Sequence, residues 1–247
     1  MRIIPIVNLF SSALVKVNAS KNAMNLLKEE LKDNKTIYKN EHIKNDFKFD
    51  KIQFMDVHYK YPNQKKEILS SINFEINQGD IVGIRGESGS GKTTLVNILT
   101  GLIKPSSGKI TINNSELLDT YIYKYQSKIA YLPQNVFITD STLLFNITLE
   151  ENSEKIDLKL FEESLHFAGL KNFVNTLQKK ENTVIGERGI QISGGQKQRL
   201  ALARANYLKR EILILDESTN ALDKKSESDI LESLIKKNIK MTIIIIS

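Results

Sequence analysis

The sequence predicts an α/β fold built around a mainly parallel sheet, and three patterns support this assignment. Four short apolar runs, at 81–85, 129–132, 212–215 and 241–246, have the length and composition of buried parallel strands. Most segments between them carry apolar residues at helical spacing. Ahead of them, two stretches alternate apolar and polar residues, as antiparallel strands with one solvated face do. We therefore expect an N-terminal antiparallel β subdomain, an inserted α-helical subdomain, and a long helix before both.

The composition narrows the function classes. Hydrophobic residues make up 40% and charged residues 26% of the 247 residues, which is ordinary for a globular protein. The absence of cysteine excludes disulfides and thiolate metal sites, and His42, His58 and His166 are too far apart in sequence to suggest a histidine cluster. The net charge of +6 comes from lysines interleaved with acidic residues, without a basic and aromatic patch. We therefore expect no nucleic-acid partner.

The N-terminal segment predicts one long helix over 6–33, within a first region 1–33, because apolar residues recur every three or four positions. Two interpretations remain open, an amphipathic helix packed on its own domain and the cytoplasmic end of a membrane helix. Every apolar run is interrupted before it is long enough to span a bilayer, so we expect no complete transmembrane helix and no secretory signal. The polar stretch 34–50 predicts a linker to a second domain at 51–247.

The remaining elements follow from local patterns. Alternation over Ile52–Tyr61 and Ile68–Ile76 predicts two antiparallel strands around a Pro-Asn-Gln turn. Amphipathic spacing predicts a largely helical segment at 141–180. The same criterion predicts helices over Lys197–Leu208 and Ser226–Lys237.

A phosphate-binding motif lies between the first core strand and the helix that follows it. Gly86 to Thr93 match the pattern G-x-x-x-x-G-K-[ST] in its required strand, turn and helix context. The glycines let backbone N–H groups point at phosphate oxygens, Lys92 can reach the β- and γ-phosphates, and the Thr93 hydroxyl can ligate Mg²⁺. A chance match in an ordinary glycine loop is the alternative, and the flanking elements disfavour it. The residues expected around the phosphates are Gly86, Glu87, Ser88, Gly89, Ser90, Gly91, Lys92, Thr93 and Thr94.

Two acidic residues follow the apolar strand 212–215. An acid at the end of a buried strand beside a phosphate loop is suited to bind Mg²⁺, which predicts Asp216 as a metal ligand. Glu217, just outside the strand, can polarise an attacking water. A solvated strand end is the alternative, and the phosphate loop favours the metal site.

The stretch Ile192-Ser193-Gly194-Gly195-Gln196, followed by Lys197-Gln198-Arg199-Leu200-Ala201-Leu202-Ala203-Arg204-Ala205, resembles the signature motif of ATP-binding cassette (ABC) proteins. It stands one helix ahead of the strand that ends in Asp216 and Glu217, which is the order found in that family. Ile192 replaces the leucine that the family usually has. The resemblance extends over 51–247 and implies a P-loop NTPase core.

The resemblance also implies roles for individual residues. Tyr61 corresponds to the aromatic residue that stacks on adenine, and Gln134 to the glutamine that contacts Mg²⁺ and the membrane-domain interface. The stretch 183–189 is similar to the loop before the signature in exporter-type members, and 220–223 matches the loop after the catalytic acid, with Asn220 where serine is common. The residues that would bind ATP carried by a partner copy are Ser193, Gly194, Gly195 and Gln196.

The family resemblance implies that the chain binds and hydrolyses ATP with Mg²⁺ at a homodimer interface, with Glu217 as catalytic base. It also implies attachment to the transmembrane domain of an exporter at the cytoplasmic face of the inner membrane. Residues 5–31 resemble the end of the last membrane helix in exporter-type flippases of lipid-linked oligosaccharides. Selectivity for a transported substrate would reside in membrane segments.

The family places a histidine directly after the strand that corresponds to 241–247, and the chain stops there. We therefore expect a chain truncated at both ends that keeps ATP binding and turns over weakly. Two alternatives to the exporter motor remain, an inactive ATP-binding remnant and a soluble ABC ATPase without a transport role.

Overall fold

The computed structural model describes residues 3–33, 47–62, 64, 66–117, 119–133, 135–187, 189–216 and 241–247. The predicted helix at 226–237, the matched loop at 220–223, and the side chains of Gln134 and Glu217 lie outside the described residues. The chain divides into two compact units, 1–45 and 46–247. The family-derived fold class, an α/β P-loop core, is confirmed in the second unit.

The described residues of the first unit form one helix, α1, over Ile3–Asp33. Its segment Ile3–Glu29 contains an 18-residue window with a mean hydropathy of 1.4, so by length and composition this helix can cross a membrane. By this criterion of length and composition, the expectation that no complete spanning helix is present is not supported. It relied on uninterrupted apolar runs, whereas asparagine and serine within an otherwise apolar helix still satisfy their backbone groups internally.

The elements of the second unit follow in chain order. The strands are β1 (Lys51–Tyr59), β2 (Leu69–Asn77), β3 (Ile81–Ile84), β4 (Ser107–Ile112), β5 (Ser115–Glu116), β6 (Ile129–Leu132), β7 (Ser141–Thr142), β8 (Val184–Ile185), β9 (Ile212–Asp216) and β10 (Thr242–Ile246). The helices are α2 (Lys92–Leu99), α3 (Asp119–Gln126), α4 (Leu143–Thr148), α5 (Leu158–Phe167), α6 (Lys171–Thr176) and α7 (Gly194–Tyr207). Short 3-10 turns lie at Ser153–Lys155 and Lys180–Asn182.

The four apolar runs form one parallel sheet in the order β3-β10-β9-β6. Both faces of its two central strands, β9 and β10, are covered, which explains why these strands are continuously apolar. Leu213, Leu215 and Ile243 point into one apolar cluster with α4, α5 and α7, and the alternate residues Ile212 and Ile214 point into a second cluster with α2 and β1. The carboxyl ends of all four strands meet at one edge of the sheet, where α/β folds bind ligands.

The antiparallel sheet has four strands in the order β2-β1-β4-β5, and the prediction of two strands was incomplete. β4 and β5 come after the phosphate loop in sequence and return to pair beside β1. Gly108 permits this pairing, because its φ is +86° and a Cβ there would lie 2.1 Å from the carbonyl oxygen of Asp56. Half of β4 is polar and exposed, so its alternation is weak in the sequence.

The segment 141–180 is less continuously helical than predicted. It contains α4, α5 and α6, separated by turns, and it opens with β7, whose partner strand β8 comes only after α6 in the chain. Side chains cap two of these helices, since Thr142 accepts from the N–H of Phe145 and Asp157 accepts from the N–H of Leu160. Such N-caps begin a new helix at positions that hydrophobic spacing does not reveal.

The end of the predicted linker, 47–50, already belongs to the second unit. Phe49 is fully buried, and its N–H donates a 2.9 Å hydrogen bond to Oε2 of Glu211. The other carboxylate oxygen of Glu211 lies 2.7 Å from Nζ of Lys128, in a mostly buried ion pair. The hydrogen bond therefore holds the segment 47–50 against the start of β9.

Candidate functional site

The loop after β3 is folded around the ammonium group of Lys92. Its Nζ donates to the carbonyl oxygens of Gly86 at 2.6 Å and Glu87 at 3.3 Å, and Ser90 N–H closes a turn onto Glu87 at 3.1 Å. The loop starts beside β10, where Gly86 N–H donates to the carbonyl of Ser247 at 3.3 Å. A positive charge is therefore held inside the loop by backbone carbonyls.

Glycine is required at the end of this loop. Gly91 has a φ of +95°, and a Cβ there would lie 2.9 Å from Cγ2 of Ile68 and 3.2 Å from its carbonyl oxygen. Gly91 is also the N-cap of α2, and as a glycine it supplies no side-chain cap to the first turn of this helix. Its N–H groups and the helix dipole therefore favour an anion at this end.

Tyr61 lies beside the same helix. Its hydroxyl is 3.3 Å from Oγ1 of Thr94, and its ring packs edge to face on Tyr59 with 5.0 Å between centroids. About a third of Tyr61 is exposed. The structure thus brings the predicted adenine-stacking ring next to the phosphate loop, and Thr94 is buried as the contact point between them.

A histidine and two carboxylates form a cluster close to Tyr61 in sequence. His58 and Asp56 belong to β1, and Glu67 lies just before β2. His58 lies 3.1 Å from Oε2 of Glu67 through Nδ1 and 3.2 Å from Oδ1 of Asp56 through Nε2. The hydrogen bond to Glu67 raises the pKa of His58, and the bond from His58 lowers the pKa of Glu67. The hydroxyl of Ser71 donates to Asp56 and, with His58, lowers the pKa of that carboxyl.

We expect the stabilisation by this cluster to be greatest in mildly acidic solution. Because the pKa of His58 is raised above its unfolded value of about 6.5, its contribution is fully present below that pH and is lost as the pH rises through the folded value. The pKa values of Asp56 and Glu67 are lowered, so these carboxylates stabilise the folded state at neutral pH, and this stabilisation is lost as the pH falls below about 4.5 and they become protonated. The gap in urea midpoint between wild type and His58→Gln should therefore be wider at pH 5.5 than at pH 8.

Glu67→Gln is the matched variant, because it removes the carboxylate and keeps the histidine. The gap in urea midpoint between wild type and Glu67→Gln should likewise be wider at pH 5.5 than at pH 8. The double variant His58→Gln/Glu67→Gln should have nearly the same midpoint as either single variant. Equal gaps between wild type and His58→Gln at the two pH values would contradict the expectation.

Asp216 ends β9 at the same edge of the sheet as the phosphate loop. It pairs with Ile246 of β10, which in turn pairs with Ile84 of β3, so it stands two strands, or about 10 Å, across from the loop. Its Oδ2 accepts a 2.6 Å hydrogen bond from the hydroxyl of Tyr131 on β6. Burial and this hydrogen bond raise the pKa of Tyr131 above its ordinary value.

Sequence reasoning missed Tyr131. The available signal was its position shortly before the conspicuous Pro133-Gln134 pair, but its relation to Asp216 depends on β6 being the neighbour of β9. Periodicity within one strand does not predict which strand lies beside it.

The predicted signature segment begins α7 with a reciprocal cap. The Ser193 Oγ accepts from Gln196 N–H at 3.3 Å, and the Gln196 side chain accepts from Ser193 N–H at 2.8 Å. Gly194 is exposed and Gly195 half-buried, while Ile192 is buried and anchors the turn in the helical cluster. The amides and hydroxyl at this helix end form a second surface suited to an anion.

The chemistry of the predicted metal ligands fits a hard cation. The carboxylate of Asp216 and the exposed hydroxyl of Thr93 are oxygen donors, which Mg²⁺ prefers. Among the described residues, no group of three His, Cys, Asp or Glu side chains is placed to hold a metal by itself. A bound phosphate is therefore needed to complete such a site, as is usual for Mg²⁺.

The sequence matches a protein-family model and several known proteins. The family model described as "ABC transporter" matches residues 69–220. The chain is 41% identical over 189 residues to the multidrug resistance-like ATP-binding protein MdlA of Buchnera aphidicola, covering 76% of this chain and 32% of that protein. It is 36% identical over 184 residues to the ATP-dependent lipid A-core flippase of Bordetella avium, covering 74% and 31% respectively.

Among solved structures, a bacterial Atm1-family ABC exporter with ATP bound matches with a TM-score of 0.72 and 30% identity, over 81% of this chain and 34% of that one. The chain therefore spans about a third of the length of the curated relatives it matches.

Proposed function

Because the chain belongs to the ABC transporter family, we propose that it is the ATP-binding and ATP-hydrolysing motor of a membrane exporter. ATP is the substrate and Mg²⁺ the metal that accompanies it. The observation that carries this proposal is the phosphate loop, in which Lys92 lies on the carbonyls of Gly86 and Glu87 at the uncapped end of α2.

Each site residue has a defined task in this proposal. Lys92 binds the β- and γ-phosphates, and Tyr61 stacks on adenine beside Thr94. Thr93 and Asp216, together with Gln134, hold Mg²⁺. When bound, the metal neutralises charge that develops on the phosphate oxygens. Glu217 accepts the proton of the attacking water, so that the water attacks the terminal phosphate and ADP leaves with the bond electrons.

The second anion surface, at Ser193 and Gly194, supports a homodimer. The cap uses the Ser193 Oγ as an acceptor, so its hydroxyl can still donate to a phosphate oxygen. In the proposed dimer this surface closes over the γ-phosphate that the partner copy holds in its phosphate loop. Binding of ATP then favours the closed pair, and hydrolysis removes the shared ligand.

A membrane location is the second part of the proposal. The helix α1 has the length and hydropathy of a membrane-crossing segment, and the relatives described above are named as a multidrug resistance-like protein, a lipid A-core flippase and an exporter. The partner is accordingly the transmembrane domain of an exporter, with the second unit at the cytoplasmic face of the membrane. The names of the relatives indicate different substrates, so no transported substrate is assigned.

The test is nucleotide-dependent dimerisation of the chain in a mild detergent, followed by light scattering. With Mg²⁺ and a non-hydrolysable ATP analogue, the wild-type mass should double. Gly194→Glu should prevent the doubling, because a carboxylate opposite the γ-phosphate is repelled at a cost of several kcal/mol. The acid is tolerated at the start of α7, where the helix dipole favours it.

Asn175→Glu, on the exposed surface of α6, adds the same charge elsewhere and should dimerise like the wild type. A wild type that binds the analogue but keeps its mass would contradict the dimer and leave a nucleotide-binding module. A wild type that does not bind the analogue would contradict the ATP function itself.

A further inference from the structure

Tyr131 makes a short hydrogen bond to the acid at the end of β9. Its hydroxyl donates to Oδ2 of Asp216 at 2.6 Å, which is within the range of an O–H···O⁻ bond to a charged carboxylate. The other oxygen, Oδ1, has no hydrogen-bond partner among the described residues. The bond therefore restrains one oxygen of the carboxylate and does not use the other.

The sheet register brings these two side chains together. β6 pairs in parallel with β9, with Tyr131 opposite Ile214 and Leu132 opposite Leu215. Opposite residues of a parallel pair point to the same face, and so do residues two apart on one strand, so Tyr131 and Asp216 share a face. This is the face covered by α2, the helix that begins with Lys92 and Thr93. The long tyrosine side chain spans the diagonal between the strands.

The position of the hydroxyl matters for metal binding. A carboxylate with one oxygen held by a donor rotates less than a free one, and partners of this kind orient metal ligands and tune their affinity. Asp216 is half-buried at the end of its strand, whereas the four residues before it are buried. Among the described residues, Tyr131 is the side chain whose hydrogen bond to this carboxylate the structure defines.

We propose that Tyr131 is a positioning residue that holds Asp216 in the rotamer required to bind Mg²⁺ together with ATP. This inference rests on the proposed function, because the metal enters the site with the nucleotide. It assigns to the hydroxyl an effect on the Mg²⁺ requirement, and no effect on nucleotide binding without metal.

The experiment is a Mg²⁺ titration of the full chain with a fluorescent ATP analogue. Tyr131→Phe removes the hydroxyl and keeps the ring. The Mg²⁺ concentration for half-maximal enhancement of nucleotide affinity should rise about tenfold, at the lower end of the effects seen for partners of metal ligands. In EDTA, the affinity of Tyr131→Phe should equal that of the wild type within about twofold, which also shows that the variant is folded.

Tyr125→Phe is the matched control. Its hydroxyl is fully buried and donates to the carbonyl of Leu99 at 2.8 Å, at the opposite end of α2 from the phosphate loop. We expect a lower denaturation midpoint and an unchanged Mg²⁺ requirement. Asp216→Asn should remove most of the Mg²⁺ response and sets the scale for loss of the ligand.

The outcomes separate the inference from the proposed function. If wild type responds to Mg²⁺ and Asp216→Asn does not, while Tyr131→Phe matches the wild type, the inference is wrong and the proposed site stands. A lower Mg²⁺ requirement in Tyr131→Phe also overturns it, because the hydroxyl would then compete with the metal. A wild type without any Mg²⁺ response overturns both.

Discussion

Replacing Lys92 with alanine should weaken ATP binding about 30- to 150-fold. This corresponds to the loss of about 2–3 kcal/mol, the usual contribution of a hydrogen bond to a charged group. The ammonium is already held at the loop by the carbonyls of Gly86 and Glu87, so little side-chain entropy is lost when phosphate replaces those contacts. The affinity can be measured by calorimetric titration with a non-hydrolysable ATP analogue and Mg²⁺.

Two control variants identify the cause of the loss. Lys92→Met keeps the aliphatic stem and removes the charge, so it should be as defective as the alanine variant if the ammonium is responsible. Lys109→Ala removes a half-exposed lysine that pairs with Glu116 at 3.3 Å on the antiparallel sheet, and it should bind like the wild type. Wild-type affinity in Lys92→Ala would show that the loop does not hold the triphosphate.

Replacing Glu217 with glutamine should slow ATP hydrolysis by about 10²- to 10⁴-fold, the usual contribution of a general base. The amide keeps the size of the side chain but cannot accept the proton of the attacking water. Glu217 lies outside the described residues, so this expectation rests on its place directly after Asp216. The measurement is the release of labelled phosphate at saturating ATP, expressed relative to the wild-type chain.

The affinity of Glu217→Gln for ATP should stay within about twofold of the wild type, in contrast to Lys92→Ala. Its ATP-bound dimer should persist longer than that of the wild type, because the shared ligand is not consumed. Glu163→Gln, on the exposed side of α5, makes the same chemical change away from the site and should hydrolyse normally. If Glu217→Gln kept a tenth or more of the wild-type rate, another group would have to be the base.

The site was predictable from the sequence wherever its chemistry is local. The phosphate loop needs a strand, glycines with positive φ and a lysine at the start of a helix, and all of these lie in the single stretch from β3 to α2. The serine that begins α7 is likewise recognisable, because its cap partner Gln196 stands one helical turn later. The strand boundaries at β6 and β9 were correct within one residue, since continuous apolar runs have clear ends.

Contacts between distant segments were not predictable in this way. β4 pairs with β1 across the intervening phosphate loop and α2, and the signal for it is a glycine that is needed only because the carbonyl of Asp56 approaches it. The strands β7 and β8 are too short for any period to appear. Phe49 was assigned to a linker because its neighbours are polar, but its side chain packs in the apolar cluster with β1 and α2, and its N–H bonds to Glu211 far along the chain.

By itself, the sequence determined the class of the fold, the phosphate loop with Lys92 and the acid at the end of a core strand. These features depend on backbone geometry and side-chain chemistry within a few consecutive residues. Only the tertiary structure decided the order β3-β10-β9-β6, and with it the bond from Tyr131 to Asp216. Strand order follows from how apolar faces pack and how crossover segments reach, and residues 85 positions apart carry no mark of becoming neighbours.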